Sequence, residues 1–178
     1  RRGQDDPPHA DGFSEVTNIP GGVSTLSIRV KTRPFGEIEV DERQVISFPD
    51  GILGFEYVRK FIILDSHENS PFKWLQAFDE PDLAFVIIRP VDFMGEYELV
   101  VSQAELEAVG AENDRELLVF AIVTIPANPR DMTANLQGPI IVNFLTKIGR
   151  QAISLSDRYR VRHRVLDEME SAAGKGKG

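Results

Sequence analysis

Short apolar runs separated by turn residues recur along most of this chain, and they constrain its fold more than any other feature. In residues 36–40 (GEIEV), Ile38 and Val40 alternate with glutamates, which is the two-residue period of a strand with one buried face. Turn sequences such as PDG, HENSP, DEPD and PANP bound the other strand-forming runs. These runs are QVISF, FIIL, FKWLQAF, LAFVIIR, LLVFAIVTI, PIIVNF and QAISL. Their short, regular spacing predicts a mainly β sandwich or barrel rather than β-α-β units.

One short helix is predicted over residues 102–110 (SQAELEAVG). Ser102 followed by Glu105 is a capping box, in which the two side chains satisfy two backbone donors at the start of a helix. Gly110 is typical of the position at which a helix ends. Leu106 and Val109 give the helix one apolar edge, so we expect it to have a packing role.

The chain is predicted to have one domain between two tails. Residues 1–25 are rich in Gly, Pro and Asp without periodicity, and we expect them to be a disordered tail. Residues 26–166 form the domain, and residues 167–178, which end in SAAGKGKG, form a second disordered tail. A length of 178 residues is enough for one domain with a sizeable core.

Composition excludes several classes of function. The chain has no cysteine, which rules out disulfides, thiolate chemistry and cysteine-ligated metals. Its net charge of −8 argues against a dedicated nucleic-acid binder, which must neutralise phosphates, and suits attraction to a basic partner. No apolar run approaches the ~20 residues of a membrane span, and no apolar segment follows the N-terminal arginines as in a secretory signal. We therefore expect a cytoplasmic protein.

No residue pattern indicates catalysis, a metal site or a cofactor. No pair of histidines has the i, i+4 spacing of a helical metal site; the three are His9, His67 and His163. A nucleophilic set can be drawn within one predicted hairpin, but it lacks the G-x-S-x-G elbow and the convergence of a true triad. Its members would be Ser154, Ser156, Asp157 and His163. We predict that the protein is not an enzyme.

The glycines of FPDGILGFE (48–56) fit neither a phosphate loop nor a dinucleotide fingerprint. We expect Gly51 and Gly54 to serve the backbone geometry of turns. We expect Phe48, Leu53 and Phe55 to be core residues.

Residues 158–164 (RYRVRHR) hold the largest concentration of positive charge. On a strand, the four arginines would occupy one face, opposite Tyr159, Val161 and His163. Basic residues interleaved with an aromatic indicate an RNA-binding strand, which makes a small nucleic-acid-binding β domain the alternative function. The simpler interpretation, which the acidic composition favours, is an edge strand protected by its charge against unwanted pairing.

Two polar segments are candidates for recognising a partner. In FDEPDLAF, three carboxylates flank Pro81 between two apolar strands that would hold the turn rigidly: Asp79, Glu80 and Asp82. In MTANLQGPIIVN, Asn135 and Gln137 precede a buried strand that begins at Pro139. These two amides either fix the loop by bonding local backbone or present hydrogen-bonding groups to a partner.

Four segments, in order, resemble the FliW family of flagellar assembly factors. They are FGEIEVDERQVISFPDGILGFE, SPFKWLQAFDEPDLAFVIIRP, TANLQGPIIVNFLTKIGRQAI and YRVRH, and the resemblance covers about Thr32 to Leu166. It implies a mainly β, compact, antiparallel β-barrel-like domain with one or two short helices and no catalytic activity. Members of the family bind newly made flagellin in the cytoplasm and also bind CsrA, a small basic RNA-binding repressor of flagellin mRNA translation.

The resemblance thus implies two protein partners, flagellin as chaperone client and CsrA as antagonised regulator. We expect a monomer with no cofactor and no direct contact with nucleic acid or membranes. CsrA would meet the acidic turn formed by Asp79, Glu80 and Asp82, because complementary charge speeds encounter and favours the right partner. Asn135 and Gln137 would shape and partly line a rim for a bound partner, while residues 139–142 anchor that rim in the core.

Overall fold

The computed structural model describes residues 16–17 and 25–175. Within these residues the chain forms twelve strands and two α helices, and neither helix is long and apolar enough to cross a membrane. The strands are β1 Val16–Thr17, β2 Thr25–Thr32, β3 Gly36–Asp41, β4 Ile46–Ser47, β5 Lys60–Asp65, β6 Phe72–Ala77, β7 Ala84–Ile88, β8 Leu117–Thr124, β9 Thr133–Ala134, β10 Ile140–Asn143, β11 Ile148–Gln151 and β12 His163–Arg164. The helices are α1 Gln103–Ala108 and α2 Val165–Lys175.

Seven strands close into a ring because β10 pairs with both β8 and β11. The order around the ring is β4-β5-β6-β7-β8-β10-β11. Neighbours run antiparallel except β11 and β4, which meet in parallel at Ile148 and Ser47. Large apolar side chains such as Phe48, Phe61 and Leu75 fill the ring with no exposure to solvent. The predicted mainly β, barrel-like fold is confirmed, with a ring-like barrel and one parallel pair.

Sheet register shows which connections share an end of the ring. β4, β6, β8 and β11 finish at the end where β5, β7 and β10 begin. We call this the loop end; it is made of residues 48–59, 78–83, 125–139 and 152–155. The opposite end is made of residues 66–71, 144–147 and the two ends of the 89–116 connection, whose middle part packs along the outside of β10 and β11 and reaches Leu155.

A hairpin of β2 and β3 packs on the outer face of β5 and β6. Val30 and Val40 of the hairpin are buried against Ile62 and Leu64. β1 extends this hairpin by pairing with the start of β2. Of the tail predicted over 1–25, residues 16 and 17 form β1 and Thr25 begins β2, whereas residues 1–15 and 18–24, including His9, lie outside the described part.

The arginine-rich strand predicted over 158–164 is wrong. Only His163 and Arg164 form a strand, and turns interrupt the chain on either side of Tyr159. Tyr159 is buried in a second apolar cluster, and its hydroxyl accepts the N–H of Glu98 at 2.9 Å. Arg164 forms ion pairs with Asp131 and Asp167. The regular arginine strand on which the nucleic-acid alternative depended is therefore not formed, although all four arginines are exposed.

The chain continues as a helix where a disordered tail is predicted over 167–178. Residues 167–175 lie in α2, which begins at Val165. Val165 is fully buried, and Met169 packs on the same cluster one turn later. This i, i+4 apolar pair gives the helix a packed edge that composition alone does not reveal.

Two local predictions are confirmed in part. α1 is capped by Ser102, whose hydroxyl accepts the Glu105 N–H at 3.4 Å, and Gly110 ends the helix region with a φ of 71°. The Glu105 carboxylate does not complete the capping box, because it accepts from Arg150 Nε at 2.6 Å. Of the strand predicted over 151–155, only Gln151 belongs to a strand, although the following residues remain extended.

Candidate protein-binding site

The loop end brings together the two polar segments predicted to recognise a partner. The acidic turn joins β6 to β7, and the loop with Asn135 and Gln137 leads into β10. Asp79, Glu80 and Asp82 are all exposed. Both segments therefore open on the same end of the ring, although 53 residues separate Asp82 from Asn135 in the chain.

A buried amide holds the acidic turn from within. Gln76 is fully buried, and its Nε2 lies 3.0 to 3.3 Å from four backbone carbonyl oxygens. These carbonyls belong to Ala77, Glu80, Pro81 and Leu83. Because the backbone carbonyls turn inward onto this amide, the carboxylates of the turn are left to face solvent.

The same amide joins the acidic turn to the β2–β3 hairpin. Gln76 Oε1 accepts the Arg33 N–H at 2.9 Å in the tight turn between these strands. This turn closes at Gly36, whose φ of 65° suits glycine. Phe35, on the same turn, is half exposed. The hairpin turn is thus fixed beside the acidic turn.

The two amides of the 135–138 loop have different surroundings. Asn135 is half-buried, and its Oδ1 accepts the Gly138 N–H at 2.9 Å, so it shapes the loop. Gln137 is exposed, and its side chain has no hydrogen-bond partner among the described residues. Its backbone carbonyl accepts the Ser154 N–H at 2.8 Å, which fixes the place of the side chain. Residues 139–142 are buried as predicted.

Residues 50–57 cross the loop end and present apolar side chains to solvent. Phe48 is buried as predicted and Phe55 is half-buried, but Leu53 is 82 % exposed, so its prediction as a core residue is wrong. The backbone must turn sharply here, because Gly51 has a φ of 64° and an added Cβ would lie 2.6 Å from Glu56 Cα. This turn carries Leu53 out of the core.

Gln151 connects residues 50–57, here called the apolar segment, to the loop of residues 135–138, here called the amide loop. Its Oε1 accepts the Leu53 N–H at 3.0 Å, and its Nε2 donates to the Gly138 carbonyl at 3.3 Å. Beyond it, Ala152 and Ser154 are buried while Ile153 and Leu155 are exposed, as expected for an extended segment. The surface therefore runs without a break from Gln137 to Leu53 and the residues after Gln151.

Aromatic contacts extend this surface to the acidic turn. The Phe55 and Phe85 rings meet edge to face with centroids 5.2 Å apart, and the exposed Tyr57 lies 6.5 Å from Phe55. Phe85 follows the acidic turn by three residues on β7. Gln151 and these rings thus link the amide loop, the apolar segment and β7, the strand that follows the acidic turn.

Ion pairs fix the base of this surface. Arg150 reaches Asp50 at 2.5 Å and the buried Glu105 of α1 at 2.6 Å. Arg150 and its neighbour Gln151 therefore hold residues 50–53 against the ring from two sides.

The loop end carries an excess of available negative charge. The Gly54 N–H donates to the Glu56 carboxylate at 3.0 Å and lowers the pKa of Glu56, which keeps it ionised beside the acidic turn. The exposed Arg59 donates to the backbone carbonyls of Glu56 and Pro49. Among the described residues it forms no ion pair with the carboxylates of this end.

The nucleophilic set considered from the sequence is not assembled. The hydroxyls of Ser154 and Ser156 accept nearby backbone N–H groups, and His163 Nε2 contacts Glu168 at 2.8 Å. A cavity of about 350 Å³ lies beside His163, lined by Tyr159, Glu168 and residues 93–96 among others. Among the residues of known position, no three His, Asp or Glu side chains are placed to share a metal ion.

Sequence reasoning found the acidic turn and the amide loop but missed the residues that fix them. Gln76, Arg150 and Gln151 carry no motif. Two features of the sequence could have indicated them. One is Gln76 within the apolar run WLQAF that leads into the acidic turn, and the other is the pair Arg150 and Gln151 at the end of a strand.

Comparison with known proteins identifies relatives across most of the chain. A family model described as FliW protein matches residues 29–165. The flagellar assembly factor FliW of Leptospira interrogans serovar Lai is 46 % identical over 149 residues, covering 83 % of this chain and 97 % of that protein. The flagellar assembly factor FliW of Thermoanaerobacter pseudethanolicus is 41 % identical over 146 residues, covering 82 % of this chain and 97 % of that protein. A crystal structure of a flagellar assembly factor FliW superposes with a TM-score of 0.71 at 32 % identity, covering 77 % of this chain and 96 % of that one.

Proposed function

The chain belongs to the FliW family of flagellar assembly factors, and from that membership we propose that it works in the cytoplasm by binding two proteins in turn. It binds flagellin as a chaperone, and it binds and antagonises the translational regulator CsrA, which relieves repression of flagellin mRNA translation. The protein acts by binding and not by catalysis.

The observation that supports this proposal most directly is the acidic turn fixed by Gln76. Three exposed carboxylates, held at one end of the ring by a fully buried amide, form a rigid negative surface. A rigid charged surface favours a basic partner with little entropy lost on binding. CsrA-type regulators are basic, so Asp79, Glu80 and Asp82 are the proposed contacts for CsrA.

Switching between the two partners requires that each lowers the affinity of the other. Such coupling is reciprocal, so flagellin must weaken CsrA binding by the same factor by which CsrA weakens flagellin binding. Titrating the preformed complex with each partner in turn measures both factors.

The charge contact is tested with Asp82→Lys. Titration calorimetry with purified CsrA from the same organism, at several salt concentrations, should show affinity about 10-fold lower and a flatter dependence on salt. Glu68→Lys, an exposed charge reversal at the opposite end of the ring, is the matched control and should bind like the unaltered protein. Equal affinity and equal salt dependence for Asp82→Lys would refute the contact.

The proposed role of Gln137 in lining the rim for a bound partner is tested with Gln137→Ala. Since the Gln137 side chain is exposed, we expect unfolding to be unchanged and partner affinity to fall. Unchanged affinity together with lower stability would instead assign this residue a purely local role.

A further inference from the structure

We propose that Leu53, Tyr57 and Ile153 are the apolar anchors of the regulator-binding surface, and that its occupant is a basic protein segment with apolar side chains. This inference rests on the function proposed above and adds the residues that would supply most of the affinity. These side chains have no assigned role in the fold, because each is largely exposed.

They are three of the four most exposed large apolar side chains among the described residues, the fourth being Leu145. Leu53 is 82 %, Tyr57 67 % and Ile153 66 % exposed, and all three stand at the loop end. Apolar side chains that cluster on one exposed surface mark sites of interaction, whereas isolated ones need no explanation. Gln151, two residues before Ile153, bonds the Leu53 N–H, and Phe55 contacts Tyr57, so the segments that carry the three side chains are linked at this end of the ring.

The backbone that carries Leu53 and Ile153 is fixed before a partner arrives. Gln151 accepts the Leu53 N–H, and the N–H groups of Ala152 and Ser154, on either side of Ile153, donate to carbonyls of the amide loop at 2.8 Å. Arg150 adds an ion pair to Asp50, three residues before Leu53. Because little freedom is lost on binding, apolar burial at these positions converts efficiently into affinity.

The charge around the anchors selects the occupant. Asp79, Glu80 and Asp82 stand at one side of the surface and the ionised Glu56 lies between Phe55 and Tyr57. The nearby Arg59 donates to backbone carbonyls and forms no ion pair with these carboxylates among the described residues. Complementarity therefore requires positive charge next to apolar side chains.

The experiment compares two exposed leucines at opposite ends of the ring. Leu53→Ala removes an anchor, and Leu145→Ala, at a leucine that is 69 % exposed in the β10–β11 turn, is the matched control. Affinity for purified regulator and purified flagellin is measured separately for each variant, with urea unfolding to verify the fold. Ile153→Ala provides a second, independent anchor variant.

We expect Leu53→Ala and Ile153→Ala each to weaken regulator binding about 10-fold, which corresponds to burying most of one aliphatic side chain. The salt dependence of binding should stay unchanged, in contrast to Asp82→Lys, since no charge is lost. Leu145→Ala should bind like the unaltered protein.

Three results would overturn the inference. One is unchanged regulator affinity in both anchor variants, another is a loss confined to Leu145→Ala, and the third is a loss for flagellin alone. If the unaltered protein binds no regulator, the proposed function itself fails, and that result is distinct from failure of the anchors alone.

Discussion

Replacing Gln76 tests whether one buried amide supports the acidic turn. The side chain has no solvent exposure, and it joins the hairpin turn at Arg33 to four carbonyls of the β6–β7 connection. Gln76→Leu keeps the approximate volume and removes every one of these hydrogen bonds.

The magnitude follows from the groups left without partners. The carbonyls of Glu80 and Leu83 keep a backbone donor, at 3.0 Å in each case, so the loss falls on the Arg33 N–H and on the carbonyls of Ala77 and Pro81. Arg33 and Pro81 are exposed residues, so their groups cost about 1 kcal/mol each, whereas the buried Ala77 carbonyl costs about 1–3 kcal/mol. Less roughly 1 kcal/mol for the added apolar burial, the loss is about 2–4 kcal/mol. Gln76→Glu should cost more, because a carboxylate would then face carbonyl oxygens without a donor.

Urea unfolding monitored through Trp74 provides the assay. Trp74 is the only tryptophan of the chain and lies two residues from Gln76 on the same strand. Gln137→Glu makes the same chemical change at an exposed glutamine, and it should alter the free energy of unfolding by less than about 0.5 kcal/mol. The reasoning is refuted if Gln76→Glu is as stable as the unaltered protein, or if it is less destabilised than Gln76→Leu.

Two further predictions concern the core and the tyrosine cluster. An added Cβ at Gly149 would lie 2.5 Å from the ring of the fully buried Phe48. Gly149→Ala should therefore lower the free energy of unfolding by about 1–3 kcal/mol. Adding Phe48→Leu to the same chain should recover part of that loss. Independent, additive losses in urea unfolding would contradict this contact. Burial, followed by the neighbouring Tyr159, raises the pKa of Tyr97 to about 12, and its hydroxyl is buried without a hydrogen-bond partner in the part of the chain that the structure describes. Because the pKa of Tyr97 is higher in the folded protein than in the unfolded chain, its contribution to the free energy of unfolding is fully present below pH ~10. That contribution is lost as the pH rises through about 12. In Tyr97→Phe, the free energy of unfolding should fall less at alkaline pH and should not be lower at pH 7. If its dependence on pH is identical to that of the unaltered protein, the raised pKa does not belong to Tyr97.

The fold could be predicted from the sequence because period-2 alternation and turn residues act locally. β3, β5, β6, β7, β8 and β10 all lie within one or two residues of the runs that indicate them. The closure of the ring could not be predicted, because it depends on β10 pairing with β8 and β11 at once. No local property of residues 140–143 encodes that second pairing.

The errors have a common physical cause. Residues 158–164 alternate as a strand should, but packing of Tyr159 beside Tyr97, with ring centroids 4.9 Å apart, bends the chain out of register. Leu53 has the composition of a core residue, but the turn at Gly51 directs it outward. In both places a structural constraint outweighs the local sequence pattern: aromatic packing at Tyr159 and a glycine turn before Leu53.

The loop end combines rigid backbone with unneutralised charge, and the residues that brace it explain how. Gln76 fixes the acidic turn, Asn135 the amide loop and Gln151 the Leu53 segment, and all three are amides. An amide offers donors and an acceptor without net charge. A lysine or arginine in the place of Gln76 would hold the same carbonyls, but it would also reduce the negative field of the carboxylates next to it. The neutral side chain of Gln76 therefore supports the turn without adding positive charge beside its carboxylates, and this is the property that the proposed regulator-binding surface requires.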